Sequence, residues 1–203
     1  MAEETYPWHP VALGVDVPAG VARAVILDGT EIVVWRGTDG QVHAWDDRCP
    51  HRGMRLSFGF VRGNSLNCLY HGWEYEGSSR CVRIPAHPDL EVPKTIRATA
   101  YAVIEQNGLV WVCLGPGRDN SPASLGETSP IASVAVACPA ASIGPGPVVE
   151  IEGMLIAVHP VSAGKSMLHG LLSGKDATVA DRLAGARALR TFRRRLEAMA
   201  EAA

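Results

Sequence analysis

Residues 49–73, CPHRGMRLSFGFVRGNSLNCLYHGW, carry two Cys–His pairs. Cys49 and His51 are separated by Pro50 alone, and Cys68 and His71 by Leu69 and Tyr70. Thiolate sulfur and neutral imidazole nitrogen are both metal ligands. Two of each on paired tight turns therefore make a four-ligand site. Between the pairs, LSFGFVRGNSLN carries Gly59 and Gly63 and reads as strand and turn. A hairpin of that kind presents all four ligands at one tip.

The flanks read as antiparallel β structure. VARAVILDGTEIVVWRGTDGQVHAWDD has β-branched runs broken by Asp28-Gly29 and Asp39-Gly40, and Asp-Gly between apolar runs is a strong hairpin signal. Asn107-Gly108 is another, and Val110 to Leu114 reads as a buried strand. Trp8, Trp35 and Trp45 read as core aromatics, and His9 and His43 as surface or internally satisfied side chains rather than ligands. Residues 1–114 are thus expected to form one mostly β domain. Residues 115–147 are rich in Gly, Pro, Ser and Ala and read as a linker, with IASVAVAC able to pair as a short strand.

Residues 148–203 read as a small α+β tail. VVEIE, LIAVHPV and SMLHGLL are expected strands, and a long helix is expected from about Ala177 to Ala202. Val179, Leu183, Ala186, Leu189, Phe192, Leu196 and Met199 recur at three- and four-residue steps and predict its packed stripe. Arg182, Arg187, Arg190, Arg193, Arg194 and Arg195 line the rest. They read as a solvated polar face, with a basic docking face for a partner protein as the alternative.

A chain of 203 residues with formal net charge −2 gives no reason to expect nucleic acid as a partner. No apolar run approaches the ~20 residues of a membrane span, and MAEETYPWHP lacks the pattern of a signal peptide. Five cysteines without a disulfide-like spacing suit a reducing cytoplasm.

Two Cys on one iron and two His on the other is the ligand set of a Rieske 2Fe–2S centre. Tetrahedral zinc is the competing reading of two Cys and two His, but C-x-H is an unusual half-site for zinc fingers. Residues 8–114 resemble the Rieske domain of Rieske non-haem iron oxygenases, the ring-hydroxylating and demethylating type. The matching residues are DDRCPHRG (Asp46–Gly53), CLYHGW (Cys68–Trp73), Gly77 with Cys81 and Ile84-Pro85, and NGLVW (Asn107–Trp111). The resemblance implies a Rieske-type antiparallel β-sandwich with a cluster-binding subdomain. It implies that Cys49 and Cys68 bind the inner iron and that His51 and His71 bind the outer, reducible one. Arg52, Tyr70 and Trp73 are expected to cover the cluster. Gly53 and Gly72 are expected to permit turns that aim N–H groups at sulfur. Tyr75 is expected to keep a tyrosine position of the high-potential Rieske proteins. Those proteins also have a cysteine pair, joined as a disulfide, where Met54 and Tyr70 stand here, and a serine where Trp73 stands. Fewer hydrogen bonds to sulfur imply a potential toward the low end of the Rieske range, roughly −150 mV.

A full oxygenase of this type continues with a mononuclear iron on two His and one carboxylate. Only His159 and His169 follow His87 in this chain, and no Asp/Glu-x-x-His-x-x-x-x-His arrangement is present. No catalytic residue is therefore expected. The tail resembles the end of an oxygenase catalytic domain whose iron-binding middle is missing. The implied role is an electron-transfer subunit. Its implied partners are a catalytic oxygenase subunit holding a mononuclear iron and a reductase or ferredoxin donor, in a homo- or hetero-oligomer. A stand-alone Rieske ferredoxin and a non-catalytic assembly or redox-sensing subunit are the alternatives.

Overall fold

The structure, a computed structural model, describes residues 8–115 and 121–201. Its first strands are β1 (His9–Leu13), β2 (Ala22–Leu27), β3 (Thr30–Arg36), β4 (Val42–Asp46) and β5 (Phe60–Arg62). Next come β6 (Ser65–Asn67), β7 (Glu74–Glu76), β8 (Cys81–Arg83), β9 (Ala100–Gln106) and β10 (Leu109–Cys113). Strands β11 (Thr128–Val136), β12 (Val148–Ile151), β13 (Met154–Ser162) and β14 (Lys165–Ser173) precede one helix, α1 (Val179–Glu201). The fold is mostly β with antiparallel pairing, as the sequence leads one to expect.

Local chemistry accounts for the tight turns. Asp28-Gly29 and Asn107-Gly108 each take two successive positive φ values, 46° and 79° in the first and 54° and 74° in the second. That is the two-residue turn whose twist matches the flanking strands. Glu152-Gly153 does the same between β12 and β13, at 52° and 78°, with a glutamate where Asn or Asp is usual. Asp39-Gly40 differs: it belongs to a longer loop closed by Gly37 N–H to Gln41 O, at 3.2 Å.

The chain forms two compact units. One comprises Val17–Ile26 and Thr30–Val103; the other comprises the described residues of Met1–Asp16, Leu27–Gly29 and Ile104–Ala203. The chain passes between them four times, and the last passage falls within β9, between Val103 and Ile104. Residues 116–120 of the expected linker lie outside the described residues. The rest of 115–147 is more than a connection, because β11 pairs with β14 from Thr128↔Ser173 to Val136↔Ser166. Register with β14 along its length orders this stretch despite its Ser/Ala-rich composition.

In the first unit, β5-β6-β7-β8 form a four-stranded sheet, β3 pairs with β4, and β4 pairs with the start of β9. Trp35, Trp45, Leu56, Leu66, Tyr75 and Ile84 form its core together with Cys49, Cys68 and Cys81. In the second unit, β11-β14-β13-β12 form a sheet covered by α1. Only part of the predicted helix stripe packs. Gly185, Leu189 and Leu196 are buried, whereas Val179, Leu183 and Met199 are 75%, 56% and 70% exposed. At ~100° per residue, Val179 and Leu183 turn away from the face defined by Gly185 and Leu189. Of the arginines, Arg182 donates to Pro130 O at 2.6 Å, Arg193 pairs with Glu197 and Arg195 with Glu152.

Candidate metal centre

The two ligand loops share one backbone design. In the first, Cys49 N–H donates to Met54 O and Gly53 N–H donates to Cys49 O, both at 2.8 Å. In the second, Cys68 N–H donates to Trp73 O at 2.9 Å and Gly72 N–H to Cys68 O at 3.0 Å. Each loop therefore opens on a cysteine, turns through a glycine four residues later and closes one residue beyond. The glycines sit at φ +71° and +67°, where an L side chain is strained. A Cβ at Gly72 would also stand 3.0 Å from Pro85 Cγ. The amides of Gly53 and Gly72 close the turns onto cysteine carbonyls. The N–H groups of Tyr70 and His71 are instead the ones that stabilise the Cys68 thiolate.

Burial polarises the four side chains. Cys49 and Cys68 are 3% and 2% exposed, whereas His51 is half-buried and His71 exposed. The imidazoles meet edge to face with centroids 4.6 Å apart. Trp73 stacks on His51 at 4.2 Å with an interplanar angle of 6°, and Tyr70 leans on His71 at 3.8 Å. Tyr70 and Leu69 remain 54% and 59% exposed beside His71. Arg52 is also exposed and is felt electrostatically by His51.

The electrostatics suit metal ligation. Partial burial, followed by neighbouring His71 and Arg52, lowers His51 and favours the neutral imidazole a metal requires. Burial raises Cys68, and the Tyr70 and His71 amides oppose that rise by stabilising the thiolate. Tyr75 Oη lies 3.1 Å from Cys49 Sγ, and burial above all raises the phenol. All five cysteines are free thiols. Among the described residues, no three His, Cys, Asp or Glu side chains converge on a single ion. A two-iron cluster asks only two protein ligands of each iron, with bridging sulfides completing the coordination. Two buried sulfurs, two outer imidazoles and amides aimed at sulfur therefore fit such a group.

Several supports were not legible in the spacing. Asp47, 1% exposed, accepts from Ser57 N–H and Ser57 Oγ–H, both at 2.6 Å, and donates its own N–H to Glu31 O at 3.0 Å. Arg55 pairs with Glu31 in the same region. His43, half-buried, stacks on Trp35 at 4.3 Å, and a Cβ at Gly77 would meet its Cε1 at 2.7 Å. Cys81 joins the ligand cysteines in the core. Charged residues two before a ligand (Asp47) and a glycine in the matched motif (Gly77) were the available signals. In the other unit, His159 and His169 are buried in the sheet with rings 5.7 Å apart, and His169 Nδ1 lies 2.8 Å from Ser133 Oγ.

Residues 7–95 match the family of the Rieske [2Fe-2S] domain. Oxidoreductase NdmD of Pseudomonas putida is 43% identical over 114 residues, which is 55% of this chain and 19% of that protein. The chloroplastic protein TIC 55 of Arabidopsis thaliana is 34% identical over 122 residues, 60% of this chain and 23% of that protein. The chain thus spans about a fifth of the length of these curated relatives. Further relatives include oxygenase subunits of dioxygenases. The solved structure of NdmA from Pseudomonas putida CBB5 shares the fold with a TM-score of 0.75 at 19% identity, covering 95% of this chain and 81% of that one. No helix among the described residues is long and apolar enough to cross a membrane.

Proposed function

We propose that this chain, which carries a Rieske 2Fe–2S domain over residues 7–95, is an electron-transfer component of a multicomponent oxygenase. The observation that carries this reading is the polarised ligand set: cysteines 3% and 2% exposed, with an exposed histidine beyond them. Bound there, the cluster supplies a one-electron couple whose histidine-ligated iron is the more easily reduced. Cys49 and Cys68 hold the inner side, and His51 and His71 hold the outer. The free ring nitrogen of a ligating histidine donates to a carboxylate or carbonyl in the usual arrangement. Exposed His71 is open to such a group on a partner, and exposed Tyr70 and Leu69 offer apolar contact around it.

The partner is an oxygenase subunit with a mononuclear non-haem iron, and the donor is a reductase or ferredoxin. His159 and His169 support assigning oxygen activation elsewhere, because both are built into the interior of a sheet. Fold likeness over 95% of the chain supports an oxygenase component over a stand-alone shuttle. Free thiols at all five cysteines suit a reducing compartment such as the cytoplasm.

The test is anaerobic purification, dithionite reduction and electron paramagnetic resonance, followed by turnover with co-expressed candidate oxygenase and reductase. A Rieske signal lost in C49S and H71A, with oxygen consumption lost in parallel, is expected. Partner turnover that persists in C49S would leave only the assembly or sensing role.

A further inference from the structure

We infer that Trp73 braces the two ligand loops against each other, working as a positioning residue for His51. The inference rests on the reading of His51 as a cluster ligand. Its basis is that Trp73 closes the second loop and touches the first. Its carbonyl accepts the Cys68 N–H at 2.9 Å and so closes the second loop. Its indole lies over the ligand of the first loop, 4.2 Å from the His51 ring and within 6° of parallel. The two imidazoles meet each other edge to face, so the indole holds His51 from one side while His71 borders another.

The loops also touch through the edge-to-face pair of His51 and His71. Each is closed by hydrogen bonds within itself. Every cysteine is a free thiol, so no disulfide crosses between the loops. A planar ring stacked on a planar ligand restricts rotation about the His51 side-chain bonds without adding charge. Stacked ring pairs contribute beyond the area they bury, and the rigid indole loses little conformational freedom in doing so. Trp73 is partly buried against the core that contains both ligand cysteines, so its ring is itself held in place.

Three variants separate stacking from simple filling of space: W73F keeps a ring, W73L keeps apolar volume without a ring, and W73A keeps neither. The holoprotein of each is challenged anaerobically with excess EDTA, and cluster loss is followed by visible absorbance together with released iron and sulfide. Loss is expected about three- to tenfold faster in W73L and W73A than in wild type, with W73F close to wild type. The reduced W73L and W73A proteins are expected to show shifted g-values with broadened lines, reflecting an imidazole no longer fixed in one orientation. Release rates and g-values unchanged in W73L and W73A would overturn the brace. Circular dichroism of each metal-free variant checks folding, and W73L carries the test if W73A does not fold. A wild-type protein that binds no cluster would instead sink the underlying ligand assignment, which distinguishes the two failures.

Discussion

Tyr75 Oη sits 3.1 Å from Cys49 Sγ, and both residues are buried. Burial and contact with Cys49 raise the phenol, so Tyr75 keeps its proton and is the donor once Cys49 is a thiolate. A donated hydrogen bond favours the more negative, reduced cluster, and such bonds to charged groups are the stronger kind. Y75F removes the donor while keeping the ring that packs edge-on to Trp45 at 6.5 Å. Its midpoint potential is expected to fall by on the order of 50 mV, because only part of a charged hydrogen bond differs between redox states and ~59 mV is a tenfold change for one electron. Spectroelectrochemical titration of both proteins measures the shift, and an equal or higher potential in Y75F would remove Tyr75 from the tuning set.

Asp47 ties the approach to the first loop to the turn that follows it. Its carboxylate takes both the N–H and the hydroxyl of Ser57 while 1% exposed. D47A leaves the Ser57 donors without that acceptor and is expected to cost about 2–3 kcal/mol, whereas S57A removes one hydroxyl bond and costs about 1 kcal/mol. Urea unfolding of the metal-free proteins gives both values. D47A should also lower the cluster content of the purified protein. A D47A variant as stable as wild type would show that the carboxylate is not a structural tie.

These examples show where the sequence is and is not readable. The Cys–His spacings stood out because ligand chemistry is carried by residue type, and Asp28-Gly29 and Asn107-Gly108 because their φ signs are a local property. The same local logic leads one to expect turns at Gly53 and Gly72, where φ is positive. The Asp47–Ser57 tie leaves no local mark, because the path of a ten-residue loop brings the two together. The Trp73–His51 stack depends on side-chain directions from two different loops. In α1 a list of apolar residues at helical steps admitted Leu183, which is 56% exposed, and passed over Gly185, which is buried. Periodicity identifies a face only approximately, and a glycine leaves no apolar mark where backbone approach is closest.

Gly185 marks that approach. A Cβ there would stand 2.8 Å from Ile131 Cδ1 and 3.3 Å from its Cγ1. Helix propensity alone favours Ala over Gly by ~1 kcal/mol, while overpacking costs about 1–3 kcal/mol. G185A is therefore expected to be neutral to destabilising in the wild-type chain. In an I131V background, which removes Cδ1, the same change is expected to be stabilising by about 0.5–1 kcal/mol. Thermal or urea unfolding of the four proteins closes the cycle, and an additive result would mean that Ile131 does not set the spacing of α1 on β11.

Cys81 sets an alkaline limit on the same logic of burial. Its thiol, 1% exposed, is pushed from the ordinary 9.0 up to about 11, by burial first and with a contribution from Cys49. Because the folded value is raised, the favoured form is the neutral thiol. Below pH 9 the folded and unfolded chains both keep that proton, and Cys81 makes no pH-dependent difference. Between about pH 9 and 11 the unfolded chain releases it while the folded chain retains it, so stability falls as pH rises through this window. The full loss is on the order of 2–3 kcal/mol. Metal-free wild type and C81A, unfolded in urea with a phosphine reductant at several pH values from 8.5 to 11, isolate the effect as a difference in slope. The substitution also leaves a small void, so the pH dependence rather than the absolute stability is the informative quantity. C81A should lose less stability across the window than wild type, and parallel curves would show that Cys81 ionises as readily in the folded chain as in the unfolded one.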